Sequence, residues 1–434
     1  MDFTRHRDVK CRQHAVLAMG NLCTNPLHIE RLLEVKCTDA LVAFSFPPTT
    51  HDSVNAQFQA IAGLHGISKH ASLRVPLLRE GVLESLVLAV QGNNRFSCLE
   101  IQQEAASTLS NLSLAEDNRL LVAKSGALPA LITLLKNPDS LCQIHAATAL
   151  ANLAETKISG EVQELMLTEQ CLEPMCNLIQ DKSTHVDVKR AVSRCISLFA
   201  SNSETHSHTL QTSVIDPLKV LSSEGDDTET LRYCALAIAN LALCKTNHRF
   251  LLENDSVEAI LLPLIHSDDV ETLRSVSFGL HNFSIQEENH AMLQNTKVVE
   301  SLVTLVRCDD KDTALQACLA VKYLSVCDRN RNLFVESRCL EPLSALASSE
   351  DLETKREVCA TLRNLSLSDK NKEAIVNENG LVEILCNLAR GEDNELAHQG
   401  MCVFVFVFTI FFVLIVHINH PLTNSSHWGT CHCC

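Results

Sequence analysis

One phrase returns along this chain at a nearly constant interval, and that interval restricts the fold more than any single motif does. AASTLSNLS at Ala105 to Ser113 recurs as AATALANLA at Ala146 to Ala154. Following the Asn of each Asn-Leu pair gives Asn21, Gly66, Asn111, Asn152, Ser197, Asn240, Asn282, Tyr323 and Asn364, with successive differences of 45, 45, 41, 45, 43, 42, 41 and 41. A second phrase keeps the same period: Cys171-Leu-Glu-Pro-Met175 and Cys339-Leu-Glu-Pro-Leu343 begin 168 residues apart, four periods of 42. A length of 434 residues would otherwise suggest two or three globular domains. The repeat predicts instead one elongated array over residues 1–401, in which each unit packs on its neighbours.

Around each ladder position the pattern is helical. The residue six before it is small or Val (Ala60, Ala105, Ala146, Cys234, Val276), and the residues two before and one after are apolar (Leu109 and Leu112, Ile238 and Leu241). Those offsets make the i, i+4, i+7 stripe of a helix with one buried face, and the small residue lets neighbouring helices approach closely. Two shorter apolar segments precede each long helix, as at Asn118 to Lys124 and Leu128 to Leu135. Gly81, Gly126 and Gly380 stand at the junctions, where a left-handed residue can end one helix and redirect the backbone. Acidic and polar clusters such as His266 to Asp269 supply N-caps for the long helices. The fold class is all-α, with three helices per repeat.

Three helices in about 42 residues, with Asn-Leu near the end of the third, resembles the armadillo repeat. The resemblance runs from about Arg7 to Met401. The phrases NRLLVAKSGALPALITLL (Asn118 to Leu135) and NKEAIVNENGLVEILCNL (Asn371 to Leu388) are most similar to the vacuolar armadillo-repeat adaptors, relatives of β-catenin. The resemblance implies a right-handed α-solenoid of about nine to ten repeats. It also implies that the ladder positions line a concave groove in which Asn amides hold the backbone of an extended partner. An amide suits that role because it offers donor and acceptor together. Asn21, Asn111, Asn152, Asn240, Asn282 and Asn364 match it, whereas Gly66, Ser197 and Tyr323 do not; the competing role for these Asn is to bond neighbouring backbone and fix repeat stacking.

Eight residues before the ladder position lies a basic row, Lys189, Arg232, Arg274 and Arg356, interrupted by Leu315. It is expected either to favour an acidic partner segment or to pair with carboxylates of adjacent repeats. Four before the ladder, where importin-α proteins carry Trp, this sequence has Leu17, Ala62, Ser107, Thr148, Ser193, Leu236, Phe278, Leu319 and Ala360, which argues against a nuclear-import receptor.

With 36 Lys+Arg against 52 Asp+Glu, the protein lacks the basic footprint of a nucleic-acid binder. Cys195, Cys234, Cys318 and Cys359 sit singly in apolar helical patterns and read as small buried hydrophobes in a reducing compartment. No catalytic motif, metal-ligand spacing or cofactor fingerprint is present, and His65, His70, His206 and His208 read as solvated residues. The expected function is a non-enzymatic protein scaffold or adaptor that binds extended or helical segments of partner proteins, cytoplasmic or at the vacuolar or another endomembrane surface. The alternatives are an importin-like transport receptor and a tail-anchored membrane tether.

Both ends depart from the pattern. The sequence opens inside the third helix of a repeat; either MDFTRHR caps it or, as expected from the capping of solenoids, an upstream part completes it. At 402–434 an apolar, Cys-containing tail replaces the repeat phrase, and Met401 to Ile418 is 18 residues long, at the short end of a bilayer span. It reads as a membrane anchor or as a non-native extension.

Overall fold

The computed structural model describes residues 4 to 419 apart from residue 5, residue 24 and residues 48–52, 92–97, 156–159 and 391–392. Among the described residues, helices alternate with short turns and no strand occurs. The long helices are α1 (Val9–Cys23), α2 (Val54–Ser68), α3 (Leu99–Ser113), α4 (Ser140–Ala154), α5 (Val186–Ala200), α6 (Thr228–Leu241), α7 (Val270–Ser284), α8 (Lys311–Leu324), α9 (Leu352–Ser366) and α10 (Asn394–Asn419). The protein forms two compact units, residues 1–264 and 265–434. In the first, each long helix packs on the next from α1 to α6; in the second, α7 to α10 do the same. Two short helices precede each of most long ones, as Glu116–Lys124 and Ala127–Leu135 precede α4, and Asp328–Glu336 and Leu340–Ala347 precede α9. Each unit is a stack of three-helix repeats.

The stripe read from the sequence is the core. Ala60, Ala105, Ala146, Cys234, Val276, Ala317 and Val358 are buried between successive long helices, together with Leu64, Leu109, Leu150, Ile238 and Leu362. Each fully buried Leu or Ile contributes about 2 kcal/mol by removing its surface from water. Cys195, Cys234, Cys318 and Cys359 are wholly buried within this core, and burial pushes the thiols of Cys234, Cys318 and Cys359 up to about 12.

In α1 the buried residues are Val16, Gly20 and Cys23, at the offsets that α3 also buries with Ala106, Ser110 and Ser113. Ala15 and Met19 are half-buried and Leu22 is exposed, so the second buried face of the other long helices is only partly covered here among the described residues. A Cβ on Gly20 would lie 2.4 Å from the Gln59 carbonyl oxygen, so glycine allows α1 to settle this close to α2. Asn21 is exposed.

The junction between the two short helices needs a left-handed residue in nearly every repeat. Gly81, Gly126 and Gly380 have φ of 82°, 82° and 74°. Lys36, Gln170, Ser213, Asp255 and Arg338 hold φ of 53–62° at the corresponding turns of other repeats. A residue with a Cβ in this region costs about 1 kcal/mol or more. Arg338→Gly is therefore expected to raise the unfolding free energy by about 1 kcal/mol, measured by urea titration, and a destabilised variant would reject the strain argument. The bond that the Arg338 carbonyl accepts from Arg307 (3.2 Å) is retained in that variant.

Helix α10 crosses Met401 without interruption and packs on α9 and on the short helix Leu381–Ala389. Leu396, Gly400, Val403 and Val407 form its buried stripe, and Gly400 lets it approach within 3.2 Å of the Ala389 backbone. The apolar run thus serves as a third helix through Val407. The side chains beyond Val407, and residues 420–434 entirely, lie outside the described residues. Among the described residues, no helix is long and apolar enough to cross a membrane.

Candidate functional site

The ladder residues do not share one environment. Asn152 is 1% exposed and saturated: Nδ2 donates to Ser110 O and Ser113 Oγ, both at 3.3 Å, and Oδ1 accepts from Arg194 at 2.9 Å. Asn111 is half-buried and donates to Ser68 Oγ at 3.0 Å. Asn364, also half-buried, donates to Lys322 O at 3.0 Å. These amides tie one long helix to the one before it. Asn282 is buried and has partners of its own. Asn240 differs: it is half-buried at the end of α6, and no hydrogen bond to its side chain is found among the described residues.

A second row of Asn, seven residues after the ladder, carries the turn out of five of the long helices, α3 and α6 to α9, and sequence reasoning missed it. Asn118, Asn247, Asn289, Asn330 and Asn371 are all buried. Each donates Nδ2 to the carbonyl six residues back, at 3.0 Å to Leu112, 2.9 Å to Leu241, 2.8 Å to Phe283, 3.0 Å to Leu324 and 3.0 Å to Leu365. A helix end leaves such carbonyls without internal partners, and the Asn supplies a donor. The next residue repeats the device: Arg119, His248, His290 and Arg331 reach Ser113 O, Ala242 O, Ser284 O and Ser325 O. The signal was legible as recurring Asn-Arg and Asn-His pairs, at Asn118-Arg119, Asn247-His248, Asn289-His290 and Asn330-Arg331.

Two of the histidines read as solvated are in fact held. His206 is buried, with Nε2 donating to Ala200 O at 2.8 Å and Nδ1 accepting from Asn247 at 3.0 Å. His65 lies 2.6 Å from Glu104 and 2.9 Å from Ser107 Oγ. Both occupy helix ends covered by a neighbouring repeat, which a single-helix pattern does not reveal. His208 is exposed as expected.

Two members of the basic row, Arg274 and Arg356, are engaged by the protein's own carboxylates. Arg274 grips Asp310 through Nε at 3.0 Å and Nη2 at 2.7 Å, and Arg356 grips Asp393 at 3.3 and 2.5 Å. The corresponding contact in the first unit comes from Arg190, one residue past Lys189, which grips Asp227 at 3.1 and 2.6 Å; further back, Gln103 bonds Asp139 at 3.0 Å. Arg232 also has a partner. The gripped carboxylates are N-caps: Asp227, Asp310 and Asp393 accept from the backbone N–H of Thr230, Thr313 and Leu396. At the repeat where Leu315 breaks the row, Asp351 caps its helix through Thr354 with no guanidinium on it among the described residues. The row is thus a set of clasps from one long helix to the first turn of the next. The Arg190 guanidinium holds the Asp227 carboxyl down to about 2, and Arg274 holds Asp310 well below the usual carboxylate range.

On the long-helix face of the first unit, α4, α5 and α6 line an open cavity of ≈ 280 Å³. Ile144, Thr148 and Ala151 form one wall; Asp187, Arg190 and Arg194 with Glu229 and Tyr233 form the rest. Tyr233 is half-buried, and no hydrogen bond to its hydroxyl is found among the described residues. Two larger hollows, ≈ 510 and ≈ 440 Å³, lie among the short helices, around Cys176 and Asp216 and around Leu210 and Phe250. Among the described residues, no group of three His, Cys, Asp or Glu is placed to hold a metal ion.

A family model of the Armadillo/beta-catenin-like repeat matches residues 115–155 and 327–367, the helix triplets that end in α4 and α9. These two segments are armadillo repeats by sequence. Catenin beta of Urechis caupo is 31% identical over 121 residues, 26% of this chain and 14% of the relative. Vacuolar protein 8 of Candida albicans is 26% identical over 190 residues, 44% and 31% of the two proteins. The Armadillo segment polarity protein of Drosophila melanogaster is 34% identical over 96 residues, 22% and 11%. The matched segments therefore span less than a third of each relative. Two solved structures share the armadillo fold across most of the protein. One is an engineered protein, with a TM-score of 0.75 at 22% identity, covering 94% of this chain and 97% of that one. The other comes from work on a phosphorylation switch controlling the interaction between cadherin and beta-catenin, with a TM-score of 0.71 at 14% identity, covering 94% and 82%. At these identities the armadillo likeness is one of fold.

Proposed function

We propose that this armadillo-repeat protein is a non-enzymatic scaffold that binds extended segments of partner proteins along the outward face of its long helices. The observation that carries this reading is Asn240, a half-buried ladder amide with no side-chain bond among the described residues, on the helix that also supplies Tyr233 to the cavity. Such a group can accept from a backbone amide and donate to a backbone carbonyl of an added strand, whatever side chains that strand carries. Asn111 and Asn364 each retain a second N–H for the same use. Asn152 is saturated and serves the stack instead. Similarity to the Candida vacuolar protein supports a place in the cytoplasm or at an endomembrane surface, reached through a partner. The absence of Trp four residues before each ladder position argues against the importin-like alternative.

Random twelve-residue peptides selected on the immobilised full-length protein provide the test. Asn240→Ala is expected to weaken a selected peptide about tenfold, the loss of roughly 1.4 kcal/mol of hydrogen bonding, with no change in melting. Equal affinity for the variant and the native protein would reject the ladder.

A further inference from the structure

The clasps decide which charge the outward face offers a partner. Arg190 lies 3.1, 2.6 and 2.9 Å from Asp187, Asp227 and Glu229. Arg274 lies 3.0, 2.7 and 3.2 Å from Glu271, Asp310 and Asp312, and Arg356 lies 2.5 and 3.7 Å from Asp393 and Glu395. Each guanidinium neutralises the capping Asp beneath it and leaves at least one further carboxylate. These extra carboxylates are the outer ones: Asp227 is 19% exposed against 54% for Glu229, and Asp310 is 14% exposed against 72% for Asp312. A row read from its arginines as basic is therefore acidic at its rim.

We infer that the segment held on this face is extended and basic, and that the cavity between α4, α5 and α6 takes one Lys or Arg side chain. This rests on the scaffold reading above. The aliphatic stem would lie along Ile144, Thr148 and Ala151, as long cationic residues do on apolar surface. The charged head would reach Glu229 and Asp187 at the rim, and the Tyr233 hydroxyl offers an acceptor beside them. An acidic segment would have to displace carboxylates already bidentate on Arg190, whereas a cation meets the outer carboxylates of Asp187 and Glu229; Arg194, the second guanidinium lining the cavity, is itself paired with Glu155. The net charge of −16 favours approach of the same partner.

Fluorescence anisotropy with the full-length protein tests this, using a labelled twelve-residue Lys-Thr repeat peptide and its Glu-Thr counterpart. The Lys peptide is expected to bind at least tenfold tighter. Asp187→Asn with Glu229→Gln should weaken it about five- to twentyfold. Glu164→Gln with Glu169→Gln, an equal charge change away from the long helices, should leave it within twofold. Circular dichroism checks that both variants keep the fold. Equal losses in the two double variants would reduce the binding to bulk charge and overturn the assignment, as would preference for the Glu peptide. Loss in the rim variant with none in Asn240→Ala would keep the basic site and reject the ladder. Loss in Asn240→Ala with none in the rim variant would do the reverse.

Discussion

Asn371→Ala is expected to destabilise the protein by about 2–4 kcal/mol, because one buried and one half-buried carbonyl lose their donor at once. Asn371 Nδ2 donates to Leu365 O at 3.0 Å, closing the end of α9, and to Arg331 O at 3.1 Å in the preceding repeat. The residue is buried, so water does not readily replace the amide, and Ala restores neither bond. Urea titration followed by circular dichroism measures the loss. A change under about 0.5 kcal/mol, the range of ordinary surface substitutions, would show that the carbonyls find other donors. The contrast with Asn240→Ala is the informative part. The two residues are the same type in rows seven positions apart, yet one is expected to alter stability alone and the other partner affinity alone.

Asp227→Ala is the second large effect, expected to cost about 1–2 kcal/mol near neutral pH. The carboxylate caps α6 through Thr230 and receives both arms of Arg190, so its removal frays a helix start and leaves the guanidinium with only the outer carboxylates. The pH dependence follows from the direction of the shift. Arg190 holds the folded-state carboxyl down to about 2, below an unfolded value of about 3.9. Its contribution is therefore fully present above pH 4 and is lost as pH falls from about 4 toward about 2. Asp310 and Asp393 are shifted in the same direction by Arg274 and Arg356, so the native protein should weaken through this window as a whole. Melting temperatures of native and Asp227→Ala protein should differ most near neutral pH and converge near pH 2. A constant gap down to pH 2 would mean that the clasp does not titrate.

How much was legible follows from the range of the interaction. The buried stripe of Ala105, Leu109 and Leu112 is set by offsets within one helix, and it could be read directly. The turns at Gly81, Gly126 and Gly380 announce themselves by residue type; Arg338 and Gln170 take the same conformation without any such mark, because the neighbouring helices impose it. The group that the Asn152 amide meets depends on Arg194, 42 residues later, and the charge left on Arg274 depends on Asp310 and Asp312. Neither pairing has a local signature. The partial exposure of Ala15, Met19 and Leu22 on α1 was not legible either, because what covers that face of a long helix comes from other helices.

The sequence by itself determined the period, the three-helix repeat, the armadillo resemblance and the small-residue core, all of which follow from spacing along one polypeptide. The tertiary structure decided which ladder amides remain available and what sign of charge the clasp row presents. Hydrogen-bond saturation and net charge belong to groups brought together from consecutive repeats, and about 40 residues separate those groups in sequence. An Asn or an Arg at a recurring position states only that a polar group is there; its neighbours in the stack determine whether it is bonded within the protein or left for a partner.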